Sequence, residues 1–271
     1  MPQVPIRDSV GDAFSFVREN WRFVLAAAAA AALAQGAVLL TGPSVVWVVI
    51  VLVAIVTAYS AMTAAALGVR GKEENRLVGD TVRVGAAMAV IAMLLIMLFL
   101  GMMFIALMVL TAPYQEELKA AGENQAALNE IMNRALTSQP AVMMWMTILT
   151  AILVFAFTTR FYLAAPASVD QKRIVAFDSW RMTRGNFLRI AGARLLLLAP
   201  AFVFVSALQT LAAYALGAPG GDPVGLMAYS RTNPVGFALF YTISVFLQLV
   251  LYSALEAGLA SALYSRLKSS G

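Results

Sequence analysis

The 271-residue chain contains no cysteine and no histidine. Without cysteine it has no disulfide bond and no thiolate nucleophile, and without histidine it has no imidazole general base. The common zinc sites, which are built from these two residue types, are excluded as well. Charged residues are also scarce, at 12% of the chain. The sequence therefore predicts no metal site and no bound cofactor.

Apolar residues make up 61% of the chain, and the mean hydropathy is +0.82. A bilayer core of about 30 Å is crossed by roughly 20 apolar residues in a helix. Six stretches have this length, at about residues 23–41, 45–67, 86–111, 142–163, 190–216 and 235–263. The sequence predicts an all-α, polytopic membrane protein, with residues 1–271 forming a single membrane domain.

The basic residues are distributed unevenly between the two sides of these predicted spans. Of the 19 Lys and Arg residues, only Lys119, Arg134 and Arg231 fall on one side, and the other sixteen flank the opposite ends and include both termini. Cytoplasmic flanks carry the excess of positive charge. We therefore expect both termini in the cytoplasm and a location in the bacterial cytoplasmic (inner) membrane. This topology also explains the net charge of +5 without a nucleic-acid partner.

Three similar segments precede predicted spans. They read VGDAFSFVRENWRFVL (10–25), VGDTVRVGAAMAVIAM (78–93) and AFDSWRMTRGNFLRIA (176–191). Asp12, Asp80 and Asp178 fall in register in them, and so do Asn20 and Asn186. Each segment fits a short helix in the headgroup layer on the cytoplasmic side, followed by two spans.

This pattern predicts three repeat units, at residues 8–68, 76–165 and 174–266. Each unit crosses the membrane twice and keeps its orientation, so we expect an approximate threefold axis along the membrane normal. The alternative is that any span entered from the cytoplasm tends to be preceded by Asp, Arg and Trp.

The third segment is the most basic part of the chain. Its tryptophan is expected at the membrane interface, its arginines toward lipid phosphate, and Gly185-Asn186 at the break before the next span. The predicted binding residues for anionic phospholipid headgroups are Arg173, Trp180, Arg181, Arg184 and Arg189. The alternative is that these arginines only determine the topology.

The stretch RFYLAAPASVDQKRIVAFDSWRMTRGNFLRI (160–190), together with ENWRFVL (19–25) near the N-terminus, resembles the glycerophosphodiester phosphodiesterase membrane-domain family and related bacterial inner-membrane proteins. In some relatives this membrane domain is fused to a phosphodiesterase domain. That catalytic domain requires histidines, which this chain lacks. The resemblance therefore implies the membrane domain alone, and it implies no established activity.

The predicted spans contain few residues that could carry out catalysis. Glu256 is the only carboxylate within a predicted span, no lysine lies inside one, and no GxSxG motif occurs. We expect a protein that is not an enzyme and that acts in envelope or lipid homeostasis by binding lipid or a protein partner. The alternative is a transporter or channel for small solutes or lipids, with repeated units and a fifth span broken at Pro200.

Arg160 and Glu256 are the two charges predicted to lie closest to the interior of the bundle. Counted from the outer side, they lie at depths of about 27 Å and about 31 Å, at 1.5 Å per residue. Two interpretations remain open. The residues form an ion pair that fixes the rotation of two adjacent helices, or each extends separately to the headgroups.

The predicted orientation has a direct test. A C-terminal reporter that works only in the cytoplasm should be active, and one that works only outside the cytoplasm should be inactive. The reason is that the excess of basic residues lies on that side of the spans. Activity only in the extracytoplasmic form would reverse the predicted topology.

Overall fold

The computed structural model describes residues 5–41, 45–70, 76–122, 124–220 and 222–269, and all regular structure within these ranges is helical. The α-helices are α1 (Ile6–Glu19), α2 (Trp21–Leu39), α3 (Val45–Ala66), α4 (Arg76–Thr111), α5 (Gln115–Ala121), α6 (Gln125–Ser138), α7 (Pro140–Arg160), α8 (Ala164–Gln171), α9 (Phe177–Met182), α10 (Phe187–Ala215), α11 (Pro223–Thr232), α12 (Pro234–Gln248) and α13 (Ala254–Lys268). A 3₁₀ turn (Ala112–Tyr114) follows α4, and a π-helical turn (Leu249–Ser253) joins α12 to α13.

Six helical segments in the described ranges are long and apolar enough to cross a membrane. They are Trp21–Leu39, Val46–Ala66, Arg76–Ala121, Pro140–Gln171, Phe187–Ala215 and Pro234–Lys268. The predicted all-α, polytopic membrane fold is confirmed. Several segments extend beyond the predicted spans, and α10 continues through Pro200 rather than ending there.

The chain divides into two compact units, one formed by Met1–Met88 with Arg160–Gly271 and the other by Ala89–Thr159. The first unit therefore contains both the N-terminal and the C-terminal parts of the chain. In the second, α5 packs on α6, where Arg134 and Glu117 form an ion pair of 2.7 Å. The boundaries of the two units do not coincide with those of the predicted repeats. The threefold axis stays a prediction.

Small residues let the helices of the first unit approach closely. A Cβ atom on Gly258 of α13 would lie 3.1 Å from the Cα of Ala13 in α1. A Cβ atom on Gly36 of α2 would overlap the hydroxyl of Thr242 in α12. Close approach of this kind strengthens packing between helices in lipid, where the hydrophobic effect contributes little.

Two of the three similar segments have the same kind of junction between a short helix and the following span. Asn20 lies between α1 and α2 at φ −110° and ψ 20°, and Asn186 precedes α10 at φ −118° and ψ 10°. The predicted break at Gly185-Asn186 is confirmed, with Gly185 in the left-handed region at φ 86°. The middle segment differs, because residues 78–93 lie within the uninterrupted helix α4.

Asp80 anchors the start of α4. Its side chain is 1% exposed, and its carboxylate accepts hydrogen bonds from Arg76 Nε at 3.2 Å and from Arg83 at 3.1 Å. Arg76 also donates to the carbonyl oxygen of Val169 in α8, at 3.1 Å. The buried Asp80 carboxylate thus holds Arg76, and Arg76 links α4 to α8.

The substitution Asp80→Asn should lower the free energy of unfolding by about 3 kcal/mol, because it leaves the buried Arg76 without a compensating charge. Asp12→Asn is the matched control. Asp12 is half exposed and bonds to Arg266 at 2.6 Å, so its loss should cost about 1 kcal/mol or less. Unfolding of both variants in detergent measures the difference, and equal losses would contradict the anchoring role of Asp80.

Candidate functional site

The predicted lipid-binding residues lie in or beside residues 172–189, which we call the basic segment. After α8, Lys172 adopts a left-handed conformation at φ 52°, and the chain turns back. The turn is closed by a hydrogen bond from the backbone N–H of Val175 to Ser168 Oγ, at 3.0 Å. Ser179 and Thr183 then donate to the carbonyl oxygen of Arg160, at 3.2 and 3.3 Å. These buried polar contacts fix the segment against the end of α7.

The basic segment exposes large apolar side chains beside its arginines. The exposed apolar residues are Ile174 (55%), Phe177 (63%), Trp180 (44%) and Leu188 (80%). Arg173, Arg181 and Arg184 are exposed as well, whereas Arg189 is half-buried in the first turn of α10. The surface is thus apolar and basic at once, which is typical of a segment at a membrane interface.

Asp178 joins two of these arginines. Arg181 donates to one of its carboxylate oxygens at 2.6 Å, and Arg173 donates to the other at 2.8 Å. The hydrogen bond from Arg181, followed by that from Arg173, lowers the pKa of Asp178 below the ordinary carboxyl value. The two guanidinium groups thus favour the ionised carboxylate, which holds both of them. Together with Met182, these three residues line a shallow cleft of about 450 Å³.

The structure does not bring Arg160 and Glu256 together. The guanidinium group of Arg160 lies over the rings of Trp180 and Phe187, with its Cζ 5.4 and 4.6 Å from their centroids. The charge that acts favourably on the Glu256 carboxylate is that of Arg194 in α10. The interpretation as an Arg160–Glu256 pair is therefore corrected. Arg160 stabilises the aromatic packing of the basic segment instead.

Glu256 belongs to a second group of polar residues, which we call the buried charge cluster. It consists of Tyr59, Tyr162, Arg194, Tyr252 and Glu256. Arg194 is 8% exposed, and its Cζ lies 4.5 Å from the centroid of the Tyr162 ring. The Tyr162 hydroxyl donates to the carbonyl oxygen of Glu256 at 3.3 Å. Tyr59 and Tyr162 are buried, whereas Tyr252 and Glu256 are half-buried, and Tyr59 and Tyr252 lie close enough to Glu256 and Arg194 to interact with them electrostatically.

A π-helical turn positions two members of this cluster. Leu249–Ser253 interrupts the α-helical hydrogen bonding of the sixth span, with Tyr252 inside the turn and Glu256 three residues after it. Such a turn inserts one extra residue, and it often occurs at functional sites. The turn changes the helix face on which the following residues lie, and Glu256 is among them.

The charge distribution along the sequence groups Arg194 with the basic residues that flank the fifth span, whereas the structure places it inside α10 and buries it. Its position as the eighth residue of an apolar helix is the sequence signal that could have revealed it. Chemically, a carboxylate, a guanidinium and three phenols can bind a polar group or hold a proton inside the bundle. Within the described ranges, no group of three or more acidic side chains is placed to hold a metal ion.

Comparison with protein-family models, with curated proteins and with solved structures gives no match.

Two double-mutant cycles test the partner of Glu256. The first combines Glu256→Gln with Arg194→Met, and the second combines Glu256→Gln with Arg160→Met. We expect a coupling free energy of about 1 to 3 kcal/mol in the first cycle, because Arg194 and Glu256 interact. The second cycle should be additive to within about 0.5 kcal/mol. Coupling in the second cycle and additivity in the first would show that Arg160, and not Arg194, is the partner of Glu256.

Proposed function

We propose that this chain is a non-catalytic protein of the bacterial cytoplasmic membrane that binds anionic phospholipid headgroups through its basic segment. The observation that carries the proposal is that exposed apolar side chains and exposed arginines occur together along residues 172–189. Its role would then be in envelope or lipid homeostasis. The resemblance of residues 160–190 to the glycerophosphodiester phosphodiesterase membrane-domain family supports a lipid-related role.

The exposed apolar residues favour a position at the boundary between headgroups and acyl chains. Leu188 and Phe177 would be unfavourable in water, whereas acyl chains accept them. Trp180 suits the same depth because an indole ring has an apolar body and one N–H donor. In this position, the neighbouring guanidinium groups reach the level of the lipid phosphates.

The arrangement around Asp178 favours recognition of phosphate. Arg173 and Arg181 are fixed on opposite oxygens of one carboxylate, and each side chain remains more than half exposed. Each guanidinium group has five N–H donors, so a bond to Asp178 leaves further donors available. Two guanidinium groups and one carboxylate leave one net positive charge, which attracts an anionic headgroup.

The substitution Arg181→Gln should lower the retention of phosphatidylglycerol by the purified protein about fivefold, since each basic residue near an anionic surface contributes about 1 kcal/mol. Arg231→Gln removes the same charge from an exposed position in α11 and serves as the control, with no expected effect. Native mass spectrometry measures the bound lipid. Equal retention of phosphatidylglycerol by the two variants would contradict the proposal.

The buried charge cluster favours a second candidate function, which is transport of a small solute or lipid. Ionisable residues inside membrane spans often mark transport pathways, and the π-helical turn beside Glu256 supports this reading. The test is solute or ion flux into vesicles that contain the purified protein. A reproducible flux that Glu256→Gln abolishes would favour transport over a binding role.

A further inference from the structure

Two exposed arginines lie on aromatic rings at the start of α2. Arg22 has its Cζ 5.3 Å from the centroid of the Trp21 ring. Arg70, which follows the end of α3, has its Cζ 3.6 Å from the centroid of the Phe23 ring. Both arginine side chains belong to exposed residues, whereas Phe23 is half-buried. We call these four residues the stacked-arginine site.

A defined turn after α3 places Arg70 on α2. Gly68 adopts the left-handed conformation at φ 65°, which favours glycine. Its N–H donates to the carbonyl oxygen of Ala65 at 3.0 Å, and the N–H of Val69 donates to that of Ala64 at 3.0 Å. These two hydrogen bonds form a Schellman motif, which ends α3 and reverses the chain. The position of Arg70 is therefore built into the end of the helix.

Stacking leaves the hydrogen-bond donors of these arginines available. A guanidinium group that lies on a ring contacts it with its face, while its N–H donors point outward in its own plane. Within the described ranges, neither Arg22 nor Arg70 makes a side-chain hydrogen bond or an ion pair. Glu19, the acidic residue closest to Arg22 in sequence, is exposed and forms no ion pair with it. Both guanidinium groups can thus donate to an anion.

Large apolar side chains are exposed beside this site. Trp21 is 52% exposed, and Phe14 in the preceding helix α1 is 55% exposed. Such side chains next to arginines suit the boundary between headgroups and acyl chains. A lipid can contact both the arginines and the apolar residues, whereas a free phosphate can contact only the arginines. The apolar neighbours therefore favour a lipid as the ligand.

The junction before α2 repeats a feature of the junction before α10. At each junction, the residue that follows the asparagine is aromatic and lies beneath a guanidinium group, with Trp21 beneath Arg22 and Phe187 beneath Arg160. The two places where a short helix passes into a span thus combine the same residue types.

From these observations we infer that the stacked-arginine site binds the headgroup of a second anionic phospholipid. Arg70 donates hydrogen bonds to the phosphate, Arg22 adds positive charge, and the acyl chains lie beside Trp21. The site shares no residue with the basic segment. Binding here therefore does not rest on the proposed function of that segment.

The test uses the full-length protein in detergent, with phosphatidylglycerol as the anionic lipid and phosphatidylcholine as the neutral one. Arg70→Gln should lower the retention of phosphatidylglycerol about fivefold, the contribution of one basic residue near an anionic group, and should change that of phosphatidylcholine less. Arg231→Gln is the matched control, because it removes the same charge from an exposed position in α11. Native mass spectrometry measures the bound lipid. Unfolding in detergent should be unchanged, since Arg70 is exposed.

An equal effect of Arg70→Gln and Arg231→Gln, or an equal loss of the two lipids, would overturn the inference. Comparison with Arg181→Gln separates this site from the basic segment. If only Arg181→Gln lowers retention, the second site is absent and the proposed function stands. If only Arg70→Gln lowers it, the stacked-arginine site binds lipid and the basic segment does not. Two independent sites predict that the double variant loses both lipids.

Discussion

The cost of placing a charge in or near lipid is the constraint on which this structure depends. Few charged residues are present, and the aspartates of the three similar segments each accept hydrogen bonds from arginine. Asp170 at the end of α8 likewise bonds to Lys268 of α13, at 2.7 Å. Two of these contacts, Asp12 with Arg266 and Asp170 with Lys268, join residues far apart in sequence, so they also fix which helix ends lie together. The contact between Asp12 and Arg266, for example, links the first helix to the last.

Charged side chains at the surface are paired in two different ways. Around Asp178, two arginines share one carboxylate, and the surplus is positive. Around Arg266, the Asp12 carboxylate accepts a hydrogen bond at 2.6 Å and the Asp8 carboxylate lies 3.8 Å away. The arginines of the basic segment lie beside exposed apolar side chains, an arrangement typical of the boundary between headgroups and acyl chains.

The fold was predictable because the requirement of about 20 apolar residues per span is strict. The break at Gly185-Asn186 was predictable too, since glycine readily adopts the left-handed conformation found there. The buried charge cluster was not. The predicted depths of Arg160 and Glu256 match, but depth leaves the rotation of each helix about its axis undetermined. Rotation directs Arg160 to Trp180, and the π-helical turn before Glu256 has no clear signature in the sequence.

An experimental structure in nanodiscs that contain phosphatidylglycerol would show whether the paired charges of the basic segment form a lipid-binding surface. We expect Arg173 and Arg181 on the Asp178 carboxylate, with headgroup density against the two guanidinium groups and acyl density beside Trp180. Arginines that point away from Asp178, with lipid density confined to other helices, would contradict lipid binding by the basic segment.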